Sequence, residues 1–330
     1  MTLPDITPDQ IAVICPTKDQ PEKVKRLLTC LAASTIKPGQ VLIADGGHNL
    51  KSVVKPFATA LNLTCLYCPQ AGQILQRNHA HSKLNPEIKL VIHLDDDVTF
   101  GKDALGVMLD YWNAQDENNA NTPNYKPLGG ASFNVVDIVP LQSSFIRTLF
   151  FLSTEPKGHV SAAGYAAPFC PAKKTHEVEW LIGGATVWQR ELIDLHRHPM
   201  SFSTRWAVCE DLMFSYPLRQ THRLMVVHDA VMMHNDTYNQ MSFKQGIFYG
   251  ISSVVMRYHF IRQHHSLHTL AFIWMTLGVL AGQLALGLMG SRRHLGLFIG
   301  GIEGLGRAIW TSIRRRDSTS LAMSMNHRKH

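Results

Sequence analysis

The segment LVIHLDDDVTF, residues 90–100, sets the aliphatic positions Leu90, Val91, Ile92 and Leu94 directly before Asp95, Asp96 and Asp97. The aliphatic run predicts a strand buried on both faces of a parallel sheet. Burying carboxylates is costly unless something pairs with them, so the triplet belongs at the carboxyl edge of that sheet. Open α/β sheets bind ligands at that edge, and clustered carboxylates there suit a divalent cation that bridges to phosphate. Helix capping is the alternative use of these aspartates, because residues 102–112 read as helical, but one aspartate suffices for a cap.

Other residues carry the rest of the chemistry. Asp45 ends the run QVLIADGG, where its carboxylate is placed to accept hydrogen bonds from a base or ribose and the glycines permit close approach. Arg77 and Asn78 lie in GQILQRNHAHS, and an arginine there suits a base, ribose or phosphate. Glu210 and Asp211 open a predicted helix; adjacent carboxylates repel, which raises one pKa and suits a general base. In LMVVHDAVMMHND, His234 offers an imidazole that completes an oxygen-ligand metal site, with His228 in the same segment.

The elements that must position these groups alternate. IAVICPTKD reads as a strand, QPEKVKRLLTCLAAS as a helix with Pro21 in its first turn, and QVLIADGG as a strand. A helical stretch near 50–60, the strand LTCLYC, a helix near 73–84 and the aspartate strand follow. This βαβαβαβ order predicts an α/β fold, a parallel sheet with helices on both faces. Beyond a polar loop at 113–127 come a strand at 129–139, a short apolar helix at 144–152 and an irregular excursion at 153–176.

Charge is unevenly spread over the 330 residues. Residues 241–330 hold 11 Lys or Arg against Glu303 and Asp317, a balance of +9, while the first 240 carry 21 basic and 23 acidic residues, a balance of −2. A basic tail points to nucleic acid or to an anionic membrane, and here Thr269 to Ser291 runs 23 residues without a charge, which favours the membrane and excludes nucleic acid. Gly278 and Gly282 in that run have the spacing for close helix approach in lipid, and Arg257, Arg262, Arg292 and Arg293 flank it on both sides. The next segment has apolar residues at 295, 298, 302, 305, 309 and 313, Glu303 and Arg307 on the opposite face, and Arg314, Arg315 and Arg316 at its end. It reads as a helix lying on a membrane. No cleavable secretory signal is visible at the N-terminus, and the six scattered cysteines read as structural thiols of a reducing compartment, so the expected location is the cytoplasmic face of a membrane, peripheral or single-span.

From about residue 11 to about 240, the order of these features resembles the family 2 glycosyltransferases of the GT-A fold. The ordered set is Asp45, Arg77 with Asn78, Asp95 to Asp97, EWLIGGATVWQRELI (179–193), Glu210 with Asp211, and His234. The resemblance implies a Rossmann-like, mostly parallel open sheet with flanking helices. It implies a catalytic domain at 1–240, with a nucleotide-sugar half to about 130 and an acceptor half beyond, and the charge and apolar pattern leaves a basic helical region at 241–330, apolar at 266–291 and amphipathic at 295–316. It further implies a nucleotide-diphosphate sugar donor held by Thr17, Asp45, Arg77, Asp95 and Asp96. Asp97 and His234 would sit on a Mn2+ or Mg2+ ion, and Trp180, Gly183 and Gly184 in the acceptor region. Asp211, beside Glu210, would be the base that deprotonates an acceptor hydroxyl, inverting the anomeric carbon. The Q-x-x-R-W signature of processive synthases is not evident, which favours transfer of one sugar per binding event to a glycan or lipid-linked acceptor of the cell envelope.

Two other classes fit parts of the sequence. LVIHLDDDVTF also matches the phosphatase box of haloacid dehalogenases, with Asp95 as nucleophile and Asp97 as acid/base, but 90 residues precede it and the later lysine and carboxylate pair of that class are not evident. A non-catalytic membrane-associated binding protein is the other, and the joint presence of Asp97, Asp211 and His234 argues against it.

Overall fold

The computed structural model describes residues 5–47, 50–115, 125–139, 141–196, 208–235, 241–314 and 317–323. Parts of the polar loop (116–124), the segment 197–207 and the pair Arg315 and Arg316 lie outside the described residues. The chain forms two compact units: Met1–Pro140 with Phe169–Pro199 and Phe214–Asp236, and Leu141–Pro168 with Met200–Met213 and Thr237–His330.

The first unit is built on one sheet. Strands β1 (Ile11–Thr17), β2 (Gln40–Asp45), β3 (Leu63–Tyr67) and β4 (Leu90–Leu94) pair in parallel in the order β3-β2-β1-β4. Every residue of β1, β2 and β4 is buried, as the aliphatic runs require of strands covered on both faces. Helix α1 (Pro21–Ala33) buries Val24, Leu27, Leu28 and Leu31, one helical stripe. The expected helix near 50–60 is a single turn, α2 (Lys51–Val54), continued as a 3-10 turn at Lys55–Phe57 where Pro56 removes a backbone donor. Helices α3 (Gln73–His81) and α4 (Ala104–Asn113) stand near their expected places.

Beyond β4 the sheet turns mixed. The aspartate triplet is a turn into the short strand β5 (Val98–Phe100), and β6 (Leu128–Val135), β7 (His176–Val178), β8 (Ala185–Gln189) and β9 (Arg223–His234) complete it in the order β4-β8-β6-β9-β5, with β7 on β9. β8 runs antiparallel to β4 and β6, β5 and β7 run antiparallel to β9, and β6 and β9 are parallel.

The second unit is helical. It contains α5 (Phe145–Leu149), the first turn of α7 (Glu210–Leu218), and α8 (Phe243–Gln263), α9 (Thr269–Leu288), α10 (Arg292–Ile313) and α11 (Ser318–Met323); α6 (Arg190–Leu195) belongs to the first unit. Helix α8 starts with a full capping box, Ser242 with Gln245. The close helix approach lies elsewhere than the Gly278–Gly282 spacing suggests. Gly246 and Gly250 of α8 face Gly296, Gly300 and Gly301 of α10, Gly304 lies against Ile251 and Val254, and a Cβ on Gly300 would overlap the Ile247 carbonyl oxygen. Gly278 instead accommodates the ring of Phe150, and Gly282 has nothing within 4 Å. Helix α10 thus buries Gly296, Gly300, Gly301, Gly304 and Ala308 and turns Ile299, Ile302, Ile309 and Ile313 outward.

Candidate active site

Strand register brings a carboxylate and an imidazole together. β5 pairs with the end of β9 so that Val98 faces His234, which sets His234 beside Asp97 at the turn before β5. The His234 Nε2 lies 3.2 Å from Asp97 Oδ1. Asn235 secures the same turn, its backbone N–H and its Nδ2 both donating to the Asp97 carbonyl at 3.1 and 3.2 Å. β9 reaches this point because it is irregular: Phe133 of β6 pairs with Val227 and the next residue, Asn134, with Val231, leaving His228–Ala230 as a bulge. The buried Asn134 side chain holds that bulge, donating to the His228 and Ala172 carbonyls at 3.0 and 3.1 Å and accepting from the Ala172 N–H at 2.7 Å.

One ligand atom each from Asp95, Asp97 and His234 lie within 4.8 Å of one another. Two ligands at right angles around an ion held at ~2.1 Å lie ~3 Å apart, which is close to the His234 to Asp97 spacing. Two carboxylates and an imidazole form a donor set suited to Mn2+ or Mg2+ with oxygen ligands from a phosphate. Lys23 Nζ sits 3.2 Å from Asp97 Oδ2, so a cation already compensates the cluster. The residues present therefore fit a divalent ion.

Each remaining aspartate has its own support. Asp95 accepts from Gln73 Nε2 at 3.0 Å and pairs with the fully buried Arg77 at 3.1 Å, both from α3. Its backbone N–H donates to the Gly184 carbonyl at 2.9 Å, and a Cβ on Gly184 would overlap the Asp95 carboxylate, so Gly184 leaves the space that this side chain fills. Asp96 accepts from the Thr17 hydroxyl at 2.5 Å. Burial pushes Asp96 up to about 6, with Asp97 and Asp95 adding to the shift and the Thr17 hydroxyl and Lys23 opposing it. The buried Asp45 accepts from the Gly47 N–H at 2.7 Å. None of the triplet caps α4, which starts after Asp103.

Glu210 and Asp211 form the first turn of α7, and Glu210 is buried. Cys209 before them has φ 63°, a left-handed conformation that costs a non-glycine residue about 1 kcal/mol or more, a backbone strain of the kind found at functional turns. Trp180 packs edge-on against Phe169, ring centroids 5.2 Å apart. His228 stands apart from the cluster in role: its Nδ1 is 2.8 Å from the Ala172 carbonyl, a structural bond beneath the bulge.

Several contributors escape sequence reasoning. Gln76 donates to the Thr17 and Ala44 carbonyls at 2.7 and 2.6 Å, clamping the ends of β1 and β2. His81 and His93 meet Nε2 to Nε2 at 2.8 Å, tying α3 to β4, the elements that carry Arg77 and Asp95. Gln73, Gln76 and Arg77 share one helical face, and a polar stripe on a half-buried helix is the signal that would have revealed them. Lys23 gives no such signal, since a lysine on an amphipathic helix reads as solvated.

The curled, mostly parallel sheet with a carboxylate cluster at its edge has the GT-A fold. Residues 12–166 match the model of Glycosyl transferase family 2, a match that supports a glycosyltransferase. No curated protein matches the sequence. Among solved structures, the chain is similar to the mannosyltransferase PcManGT from Pyrobaculum calidifontis in complex with GDP-Man and Mn2+, with TM-score 0.54 and 15% identity over 98% of this chain and 88% of that one. It is also similar to residues 1–349 of TarS from S. aureus, with TM-score 0.56 and 13% identity over 96% and 88%, a protein also solved in complex with UDP. At such identities the likeness is one of fold.

Proposed function

We propose that the protein is an inverting, metal-dependent glycosyltransferase that moves one sugar from a nucleotide-diphosphate sugar to an acceptor hydroxyl, in the synthesis of a cell-envelope glycan or glycolipid. The observation that carries this reading is the convergence of Asp95, Asp97 and His234 at the carboxyl edge of the sheet. Asp95, Asp97 and His234 would hold a divalent ion there, and it would supply positive charge to offset that on the departing diphosphate. The presence of GDP-Man and Mn2+ in one structural neighbour and UDP in another supports the donor class.

Within residues 1–240, Asp45 and Thr17 close the sheet edge on the nucleoside side, and Arg77 holds Asp95 in a fixed orientation. Asp211 takes the proton of the acceptor hydroxyl as its oxygen forms the bond to the anomeric carbon and the bond to the diphosphate breaks, which inverts that carbon. Trp180, Gly183 and Gly184 border the acceptor side. Residues 241–330 rest on the cytoplasmic face of a membrane, where a lipid-linked acceptor is available.

The test is Asp211→Asn. Because the base acts only in the transition state, nucleotide affinity stays near that of the parent while transfer falls by about 10²- to 10⁴-fold. Equal loss of binding and transfer contradicts the assignment.

A further inference from the structure

The exposed apolar surface of the helical unit is not confined to the C-terminal tail. Helix α9 is long and apolar enough to cross a membrane by length and composition. Its exposed positions include Leu270, Trp274, Leu277 and Leu288, which share one face. Helix α5, more than a hundred residues earlier in the chain, is attached to that helix: Trp274 Nε1 donates to the Leu149 carbonyl at 2.9 Å, Trp274 stacks on Phe150 with centroids 5.0 Å apart, and Gly278 makes room for the Phe150 ring. Phe145 and Ile146 of α5 are then left 82% and 68% exposed.

We propose that α5 and α9 together form a monotopic docking face for an anionic lipid bilayer, with α9 lying in the plane of the interface and Phe145 and Ile146 inserted beside it. This inference deepens the membrane partner proposed above.

Three observations select this occupant and this orientation. First, α9 is not free to cross alone. It packs on α8 and α10, which are joined backbone to backbone through Gly250 against Leu297 and Gly301, and by Tyr258 Oη to Ser312 Oγ at 2.7 Å further along. A spanning α9 would draw in α8 and α10 with Arg257, Glu303 and Arg307, and ionised side chains at bilayer depth are costly. Second, exposed basic residues stand at both ends of α9, Arg262 before it and Arg292 after it, and Arg314 covers the Trp310 ring at 3.9 Å. Cations at both ends suit a helix whose two ends stay among anionic headgroups on one side, and tryptophans belong at that depth. Third, a second copy of this chain would bring the same positive balance of +9 from residues 241–330 against the patch, whereas an anionic surface complements it.

The full chain is tested by flotation with vesicles of phosphatidylcholine alone and with added phosphatidylglycerol. The parent floats with the anionic vesicles, and Phe145→Asp/Ile146→Asp lowers the partition coefficient at least about tenfold with an unchanged melting temperature, since both side chains are exposed. A membrane-impermeant maleimide labels Met289→Cys, at the exposed end of α9, in intact sealed vesicles. Flotation of the double variant equal to the parent, protection of Met289→Cys until the vesicles are lysed, or a soluble dimer without vesicle binding each overturns the proposal. Melting-temperature shifts with UDP or GDP and Mn2+, measured on the same proteins, report the catalytic reading separately: their loss in the parent with flotation retained would sink that reading and not this one.

Discussion

The two units place polar and apolar groups in opposite ways. In the sheet unit the aliphatic strands are buried, and the charges are collected at strand ends, where Asp95 meets Arg77 and Asp97 meets His234 and Lys23. In the helical unit the tightest packing belongs to glycines, and large side chains such as Phe145, Leu270 and Ile313 face outward. A buried strand gains stability from apolar area and must compensate each carboxylate it delivers to an edge. A helix pair joined by glycines gains from close backbone contact and leaves its apolar surface for another phase.

The largest test of this contrast lies in the helical unit. Gly300→Leu drives a side chain into the Ile247 carbonyl and should cost about 3 kcal/mol or more, whereas Gly282→Leu, with nothing within 4 Å, should stabilise by up to ~1 kcal/mol through helix propensity. Denaturant unfolding of both variants reads the difference, and equal effects would break the comparison. In the sheet unit, Asn134→Ala removes the bonds to the His228 carbonyl and the Ala172 N–H, while the Ala172 carbonyl keeps His228 Nδ1, at a cost of about 1–3 kcal/mol. Because that bulge aims the end of β9, weaker Mn2+ binding should accompany the loss, as measured by calorimetry; a destabilised variant with parental Mn2+ affinity would separate the bulge from the site.

A smaller effect concerns pH. Burial lowers the His259 pKa from 6.5, against the opposing influence of Asp317 and Ser318, so the folded protein refuses a proton that the unfolded chain accepts. Stability from this group is full above 6.5 and is lost as pH falls below it. Between about pH 7.5 and about pH 5.5 the parent should lose melting temperature more steeply than His259→Gln, and parallel curves would contradict this.

Much of the sheet unit was legible in the sequence because its signals are local. Aliphatic runs mark β1, β2 and β4, Pro21 marks the start of α1, and three carboxylates after a buried strand have few places to go. His234 was legible as a ligand type, but its meeting with Asp97 depends on the pairing of β5 with β9 and on a bulge that no local pattern encodes. The antiparallel strands β7 and β8 were hidden for the same reason, and Gln76, His81 and His93 act through contacts between distant segments. In the helical unit the glycine spacing of α9 drew the reading, while the glycines that bind helices sit in α8 and α10. Spacing shows that helices are able to approach closely, and only packing shows which of them do.

The central claim is that Asp97 and His234 share one divalent ion that holds a nucleoside diphosphate. The most direct measurement is the melting temperature with GDP or UDP, with and without Mn2+, for the parent, Asp97→Asn and His234→Ala. The parent should gain a Mn2+-dependent increase that both variants lack, and an undiminished increase in either variant would contradict the claim.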